Sequence, residues 1–354
     1  MAITGTTVLT LHDYAKRFGD KDSGVSEGVV EMLSQWNGIL DDAMWKQSNQ
    51  SNSNVTTIRT ALPTVRWGQL YKGTPNSKSS TTKIVDTMGM LEGQSIVDTR
   101  MERYTKDMKT AMVDESHAFF ESMSNEWCST LFYGNVAGAS VDDPSSFTGL
   151  TARYNTLSGN IGGQVISGGG SGNDNSSIWI VQWGIRSLTC IFPENSTSGI
   201  QSKYKGEFPV LDGDSNTYYA HHTYFSWDSG LTVADYRGAV RICNIDMSNA
   251  QANSSAANLP NLIAQGLKKL GRPQQRFTNA RDAGANNGLK MSNSGSVRTV
   301  IYMNRGCESL FDRQMNALTP YLSLGEGAGT YYPNFRGIPI VICDAILNTE
   351  STVS

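Results

Sequence analysis

The period of the apolar positions changes several times along the chain, and each change marks an element. Residues 1 to about 24 are polar with scattered apolar positions, which predicts an extended arm with little core of its own. From Ser26, the residues Val29, Met32 or Leu33, Trp36, Ile39 or Leu40 and Met44 fall at helical spacing after a Ser/Glu start. A short amphipathic helix is expected there, ended by QSNQSNSN. Two β-leaning runs follow, VTTIRTALPTVRWGQLYKG and TTKIVDTMGMLEGQ, on either side of the polar tip TPNSKSS. In the first run Val65, Trp67 and Tyr71 point one way with Gln69, while Arg66 and Leu70 point the other. A ribbon of two such strands is not stable alone in water, so residues 55–97 need cover from their own subunit or from a neighbour.

The clearest helical signal runs from about Asp98 to Tyr133. Met101, Tyr104, Met108, Met112, Phe119, Met123, Trp127 and Leu131 step by three, four or seven, with Arg100, Arg103, Lys106, Lys109, Asp114 and Glu121 largely outside that stripe. Gly134 is placed as its C-terminal stop. A single helix of this length spans about 50 Å, far beyond the usual three turns, and without an a/d heptad it reads as a strut. Beyond it GNIGGQVISGGGSGNDNSS is low in complexity and predicts a mobile surface loop. SIWIVQWGIRSLTCIF and GLTVADYRGAVRICNID predict strands, and EFPVLDGDSNTYYAHHTYFSW predicts a hairpin turning at Asp212–Asn216. MSNAQANSSAAN reads as a linker into a helix at LPNLIAQGLKKLG, with Pro260 in its first turn. Residues 273–296 are polar and irregular. VRTVIYMN and GIPIVICDAIL then read as buried strands flanking a helix at GCESLFDRQMNAL. No internal repeat is visible.

Composition narrows the classes of function. The 354 residues are 38% hydrophobic, enough for one large or two ordinary cores, but only 17% charged, below the roughly 25% usual in soluble domains. Such a surface suits packed neighbours. A net charge of -3 argues against gripping nucleic acid through phosphate neutralisation. The five cysteines, Cys128, Cys190, Cys243, Cys307 and Cys343, are far apart, odd in number and without a CxxC pair, which predicts buried thiols. The sequence shows neither a secretory signal nor an apolar run long enough to span a bilayer, so no membrane role is expected.

No phosphate-loop, dinucleotide, HExxH or GxSxG signature occurs, and no catalytic residue, metal or cofactor is expected. Asp212, Asp214 and Asn216 imitate half of a calcium loop, but Thr217 and Thr223 stand where Gly and Glu are required, so a hairpin turn is the better reading. His221 and His222 would face opposite sides of a strand and cannot share a metal. His117 has only Glu121 at i+4, which suggests a surface ion pair. Arg59, Arg66, Lys72, Lys78 and Lys83 form the one local excess of positive charge. They are read either as a solvated strand edge or as a clasp onto an acidic patch of another subunit, the second favoured by the nearby Trp67 and Tyr71.

Taken in order, arm, short helix, ribbon, strut helix and mixed terminal domain resemble the major capsid proteins of tailed bacteriophages with the Hong Kong 97 fold, in a podovirus-like branch. VVEMLSQWNGILDDAMWKQSN is similar to the segment entering the ribbon, LPTVRWGQLYKG and SKSSTTKIVDTMGMLEG to the extended loop, SWDSGLTVADYRGAVRICNID to a strand pair of the axial domain, and FRGIPIVICDAILNTE to the closing strand. The resemblance implies an α+β chain. Its parts would be an arm and short helix at 1–48, an extended β-ribbon loop at 49–97, a peripheral domain at 98–177 with a spine helix at 98–133, an axial domain at 178–320, and a return to the peripheral domain at 321–354. It further implies hexamers and pentamers closing into an icosahedral head around double-stranded DNA, without sequence-specific binding and after assembly in the host cytoplasm. A separate scaffolding protein, a portal and a decoration protein are the expected partners. The contact residues of the loop would be Arg66, Trp67, Tyr71, Lys72, Lys78 and Lys83. Some relatives join the loop to a neighbour by a Lys–Asn isopeptide bond, for which no partner Asn or assisting Glu is identified here. A nanocompartment shell of the same fold and a carbohydrate-binding adhesin or tail protein are the alternatives.

Overall fold

The computed structural model describes residues 35, 37–103, 108–136, 146–212, 214–252, 257–270, 298–318 and 334–354. The expected arm, most of the first helix and the irregular 273–296 segment lie outside these residues. Twelve strands occur among them: β1 Trp45–Gln47, β2 Ser53–Ala61, β3 Ser80–Asp98, β4 Val165–Ser167, β5 Asn175–Trp183, β6 Leu188–Phe192, β7 Gln201–Leu211, β8 Thr217–Val233, β9 Ala239–Asp246, β10 Arg298–Met303, β11 Asn334–Phe335 and β12 Ile338–Ile342. They form one mixed sheet in the order β11-β12-β10-β5-β6-β8-β3-β2, with β1 on β6, β7 on β8, and β9 between β4 and β5. Two compact units share the chain. One contains Met90–Trp127 and Thr197–Asp228, the other Trp36–Gly89, Cys128–Ser196 and Ser229–Ser354.

In the second unit β5 is buried along its whole length because both of its faces are covered. Ile178 and Ile180, with Val240, Ile242 and Ile301, pack under Leu259, Ile263 and Leu267 of the Leu259–Lys269 helix and Cys307, Leu310 and Phe311 of the Arg305–Leu318 helix. Alternation sends Trp179 to the opposite face, where its ring lies 6.2 Å from Phe132 and 6.0 Å from Tyr154. Asn258 caps the first of those helices by accepting from the Asn261 amide at 3.1 Å, and Pro260 sits in its first turn as expected. All five cysteines are buried free thiols, and burial raises the thiol of Cys128 and that of Cys190 far above the usual range.

Several sequence expectations give way to tertiary constraints. The helical pattern expected to reach Met44 is helical only at Ile39–Asp42 among the described residues. Ala43 is already extended, and Trp45–Gln47 pairs in parallel with Cys190–Phe192. Asp42 explains the early stop, because its buried carboxylate accepts from Tyr302 Oη at 3.0 Å and pairs with Arg298. The segment expected as a mobile glycine loop instead contains β4, paired with β9, and Gly170, whose amide donates to Asn244 O at 2.8 Å. A Cβ on Gly170 would lie 2.5 Å from Asn175 Oδ1, so glycine serves close approach there. The expected linker at 247 opens as a helix, Met247–Ala252, with Met247 and Ala250 buried in the core.

The long helix covers Met108–Tyr133, 26 residues or about 39 Å, and not the whole of 98–133. Ahead of it Thr99–Arg103 forms a 3-10 turn in which Asp98 accepts from the Arg100 amide at 2.8 Å and holds the Arg100 guanidinium at 3.0 Å. Met123, Trp127 and Leu131 of the predicted stripe are buried. Tyr104 and the Met108 side chain fall outside the described residues. Gly134 does follow the helix, but its amide continues the helical pattern onto Thr130 O at 2.8 Å. Its requirement for glycine is steric, since a Cβ would stand 2.5 Å from Phe147 O and 2.6 Å from Thr130 O, both backbone atoms. Gly134→Ala is therefore expected to cost about 1–3 kcal/mol through forced backbone movement, measurable as a lowered midpoint in chemical denaturation of the subunit.

Candidate functional site

The ribbon begins as a regular ladder. β2 and β3 pair in antiparallel register from Ser53↔Thr87 to Arg59↔Thr81, and a bulge then carries the pairing to Ala61↔Ser80. Its base is anchored by Asp86, buried beside Asn54, which binds Arg153 Nη1 at 2.8 Å while Arg153 Nη2 donates to Leu231 O at 3.2 Å. Beyond Ala61 the ladder ends, so the two long strand runs expected through Gly73 are shorter than the pattern suggested. Pro63 removes a backbone donor directly after the bulge. Residues 62–79 keep only local ties: Ser77 Oγ donates to Thr64 O at 2.8 Å, the Lys72 amide to Gln69 O at 3.2 Å, and Arg66 Nη2 to Gly73 O.

This tip exposes apolar bulk. Trp67 is 97% exposed, and Leu62, Val65, Leu70 and Tyr71 are comparably open. Five large apolar side chains exposed within ten residues are unusual on a lone soluble subunit. Its charge is one-sided: from Ser53 to Val85 there are five basic residues and no acidic one. The Arg66 guanidinium donates to Gly73 O, next to Lys72 in the chain, and Lys78 lies on the returning arm just before β3. Lys83 instead sits in the paired base opposite Thr57, away from the tip. Leu62 and Leu70 are exposed on the same tip as the predicted contact residues Trp67 and Tyr71. Their signal in the sequence was bulky apolar side chains in a segment that offers them no core.

The remaining candidates resolve into structural roles. Asp212 Oδ1 accepts from the amides of Asp214 and Asn216 at 3.0 and 2.8 Å, which makes it a turn-forming residue. His221 and His222 face opposite sides: His221 receives the Tyr204 hydroxyl on Nδ1 at 2.7 Å and binds Glu102 through Nε2, while His222 Nδ1 accepts from Gln94 at 2.7 Å. His117 makes an edge contact with Phe120 at 6.3 Å. Among the described residues no group of three or more His, Cys, Asp or Glu could hold a metal ion, and no helix is long and apolar enough to cross a membrane.

A family model described as "Major capsid protein GP7" matches residues 20–354. Among solved structures, the near-atomic structure of bacteriophage Epsilon15 is 28% identical, covers 100% of this chain and 99% of its own, and superposes with a TM-score of 0.72. The bacteriophage JBD30 capsid is 11% identical, with 92% of this chain and 93% of that chain covered at a TM-score of 0.43. The holo-SrpI encapsulin complex from Synechococcus elongatus PCC 7942 is also 11% identical, with 67% and 97% covered at 0.43, and these two more distant likenesses decide nothing. The comparison with curated proteins found no match. The ribbon, the long helix and the mixed α+β body fit the Hong Kong 97 type of capsid fold. The match over nearly the whole chain agrees with it, and the chain belongs to the major capsid protein GP7 family, the shell proteins of tailed-bacteriophage heads.

Proposed function

We propose that copies of this chain form hexamers and pentamers that close into an icosahedral head around double-stranded DNA, and that residues 62–79 clasp a neighbouring copy. The observation that carries this reading is the exposure of Leu62, Val65, Trp67, Leu70 and Tyr71 on a tip with no cover of its own. Burying each large apolar side chain on a neighbour yields roughly 1.5–3 kcal/mol before ordering costs, and rotational closure repeats the contact around every ring. Arg66, Lys72 and Lys78 orient the contact, while Lys83 supports the base. In this reading the chain works without a catalytic step, assembles in the host cytoplasm with a separate scaffolding protein and a portal, and accepts a decoration protein on the finished shell. The capsomer-centre role of 178–320 belongs to the same proposal, with Thr197–Asp228 the stretch whose compact packing lies with Met90–Trp127 instead.

Expression with its neighbouring genes is expected to yield closed heads in negative stain that shield double-stranded DNA from nuclease. A chain that stays monomeric in sedimentation under those conditions would count against the reading. Within the loop, Trp67→Ala is expected to weaken particles more than Lys78→Ala, because aromatic burial outweighs an exposed ion pair. Equal temperatures of content release for the two variants would remove Trp67 as the anchor.

A further inference from the structure

Residues 347–354 are held on the body of the chain in the way a bound peptide is held. Apart from the isolated bridge of Glu350 with Asn175 they belong to no strand or helix. Their backbone groups are met one by one. The Leu347 amide donates to Tyr133 Oη at 2.9 Å, and Leu347 O accepts from Ser176 Oγ at 3.0 Å. Glu350 and Asn175 exchange both of their backbone bonds, at 2.9 and 3.4 Å. The Val353 amide donates to Asn244 Oδ1 at 2.8 Å while Asn244 Nδ2 donates to Val353 O at 2.9 Å, so a single side-chain amide stands in for a pairing strand. Ser354 O accepts from the Leu157 amide at 3.2 Å.

Backbone contacts of this kind accept many sequences, and selectivity then comes from the side chains that enter pockets. Among these eight residues only Glu350 is buried. Its carboxylate meets Arg241 at 2.8 Å, the Tyr133 hydroxyl at 2.6 Å and the Ser177 hydroxyl. Burial and that carboxylate raise the Tyr133 phenol far above its usual range, which keeps it a donor.

The receiving side chains are oriented by contacts that do not involve the segment. Arg241 donates to Tyr154 O at 2.9 Å and lies 5.3 Å from the centre of the Trp179 ring. Asn244 also donates to Ser167 Oγ at 3.2 Å, and its φ of 56° is a backbone state that Asn adopts more readily than most residues. Asn175 Nδ2 donates to Gly172 O at 2.7 Å. Strands β5 and β9, which carry Asn175, Ser177, Arg241 and Asn244, pair with each other from Asn175↔Asp246 to Val181↔Ala239. A site ordered in advance loses little freedom when its ligand arrives.

We propose that these side chains form a peptide-binding site selective for an extended segment with one carboxylate, and that residues 347–354 occupy it as a latch that opens while the body stays folded. The site belongs to the single subunit and does not depend on the shell. Ile346, fully buried, tethers the segment beside it, and the resulting high effective concentration keeps a free peptide from displacing the segment in the parent chain.

Hydrogen exchange of the full chain tests the latch. The amides of residues 347–353 are expected to exchange about a hundredfold faster than those of β5 and about a hundredfold slower than freely exposed amides. Exchange at the rate of β5 would mean that the segment leaves only when the whole body unfolds, and exchange at the free rate that it is not docked. Either result overturns the proposal. Asn244→Gly tolerates the same backbone and removes the clamp on Val353, so it is expected to speed exchange of the segment about tenfold with β5 unchanged. An unaltered rate in the segment overturns the recognition of its backbone.

The site itself is tested in the full chain carrying Glu350→Ala and Val353→Pro, which remove the carboxylate and one amide donor from the occupant. A fluorescent synthetic peptide, LNTESTVS, is expected to bind this variant in an anisotropy titration, and the same peptide with Glu350→Gln at least tenfold more weakly. The parent chain is expected to bind neither. Equal binding of the two peptides, equal binding by parent and variant, or no binding by a variant with parental circular dichroism overturns the proposal. If the variant fails to fold, the exchange experiment on the parent chain decides.

Discussion

Glu350→Ala is expected to destabilise the subunit by about 3–5 kcal/mol, because it leaves a charged guanidinium buried without its counter-ion. Arg241 is 2% exposed and Glu350 7%, and their closest contact is 2.8 Å. Arg241 also donates to Ser177 Oγ at 3.1 Å and Tyr154 O at 2.9 Å and lies 5.3 Å from the centre of the Trp179 ring. Glu350 accepts the Tyr133 hydroxyl at 2.6 Å and that of Ser177, and its amide donates to Asn175 O at 2.9 Å. The pair thus ties strand β9, the end of the long helix and the final residues into one network.

Against a typical domain stability of about 5–15 kcal/mol, such a loss is large enough to deplete the folded subunit. Urea unfolding followed by tryptophan fluorescence measures it. Glu350→Gln, which keeps an acceptor, is expected to lose less, and Arg241→Met with Glu350→Leu to recover much of the loss, since no charge then stays buried. A Glu350→Ala variant within about 0.5 kcal/mol of the parent would show that water reaches the guanidinium and that the network contributes little.

Deletion of residues 72–82 is expected to have the opposite signature, with a subunit of near-parental stability and no closed heads. Residues 62–79 add no ladder pairs, and the deletion removes only three ladder positions, Ser80, Thr81 and Thr82. Their loss costs the isolated subunit about 1 kcal/mol or less. Assembly suffers far more, because shortening the tip displaces Trp67 and removes Lys72 and Lys78 together. Electron microscopy of the expressed variant, with unfolding of its soluble subunit as control, reads both halves. Normal heads would show that the shell closes through other surfaces.

Much of the architecture could be read locally. NSSIWIVQW and RTVIYM are dense in β-branched and aromatic residues, and both became buried strands. LPNLIAQGLKK carried Pro260 in its first turn and an apolar period, and it became a helix over a core. The loop was legible for a different reason, since a run containing Trp67, Leu70 and Tyr71 beside Pro63 and a polar tip has nothing nearby to bury against. What could not be read were features that depend on partners far along the chain. Trp45–Gln47 follows a helical pattern, yet it is drawn out straight by β6, about 145 residues later. The stop of the first helix after Asp42 required knowing that Tyr302, 260 residues later, reaches its carboxylate.

By itself, then, the sequence determined the kinds of element, their order, the uncovered loop with its excess of cations, and the membership in a capsid family that this order implied. Only the tertiary structure decided where the ribbon ladder stops, why Gly134 admits no side chain, and that Arg241 and Glu350 share a buried contact 109 residues apart. The division has a physical basis. Side-chain spacing records the period of a single element, whereas register, burial of charge and closeness of backbones arise from the pairing of distant segments, and no local spacing encodes that pairing.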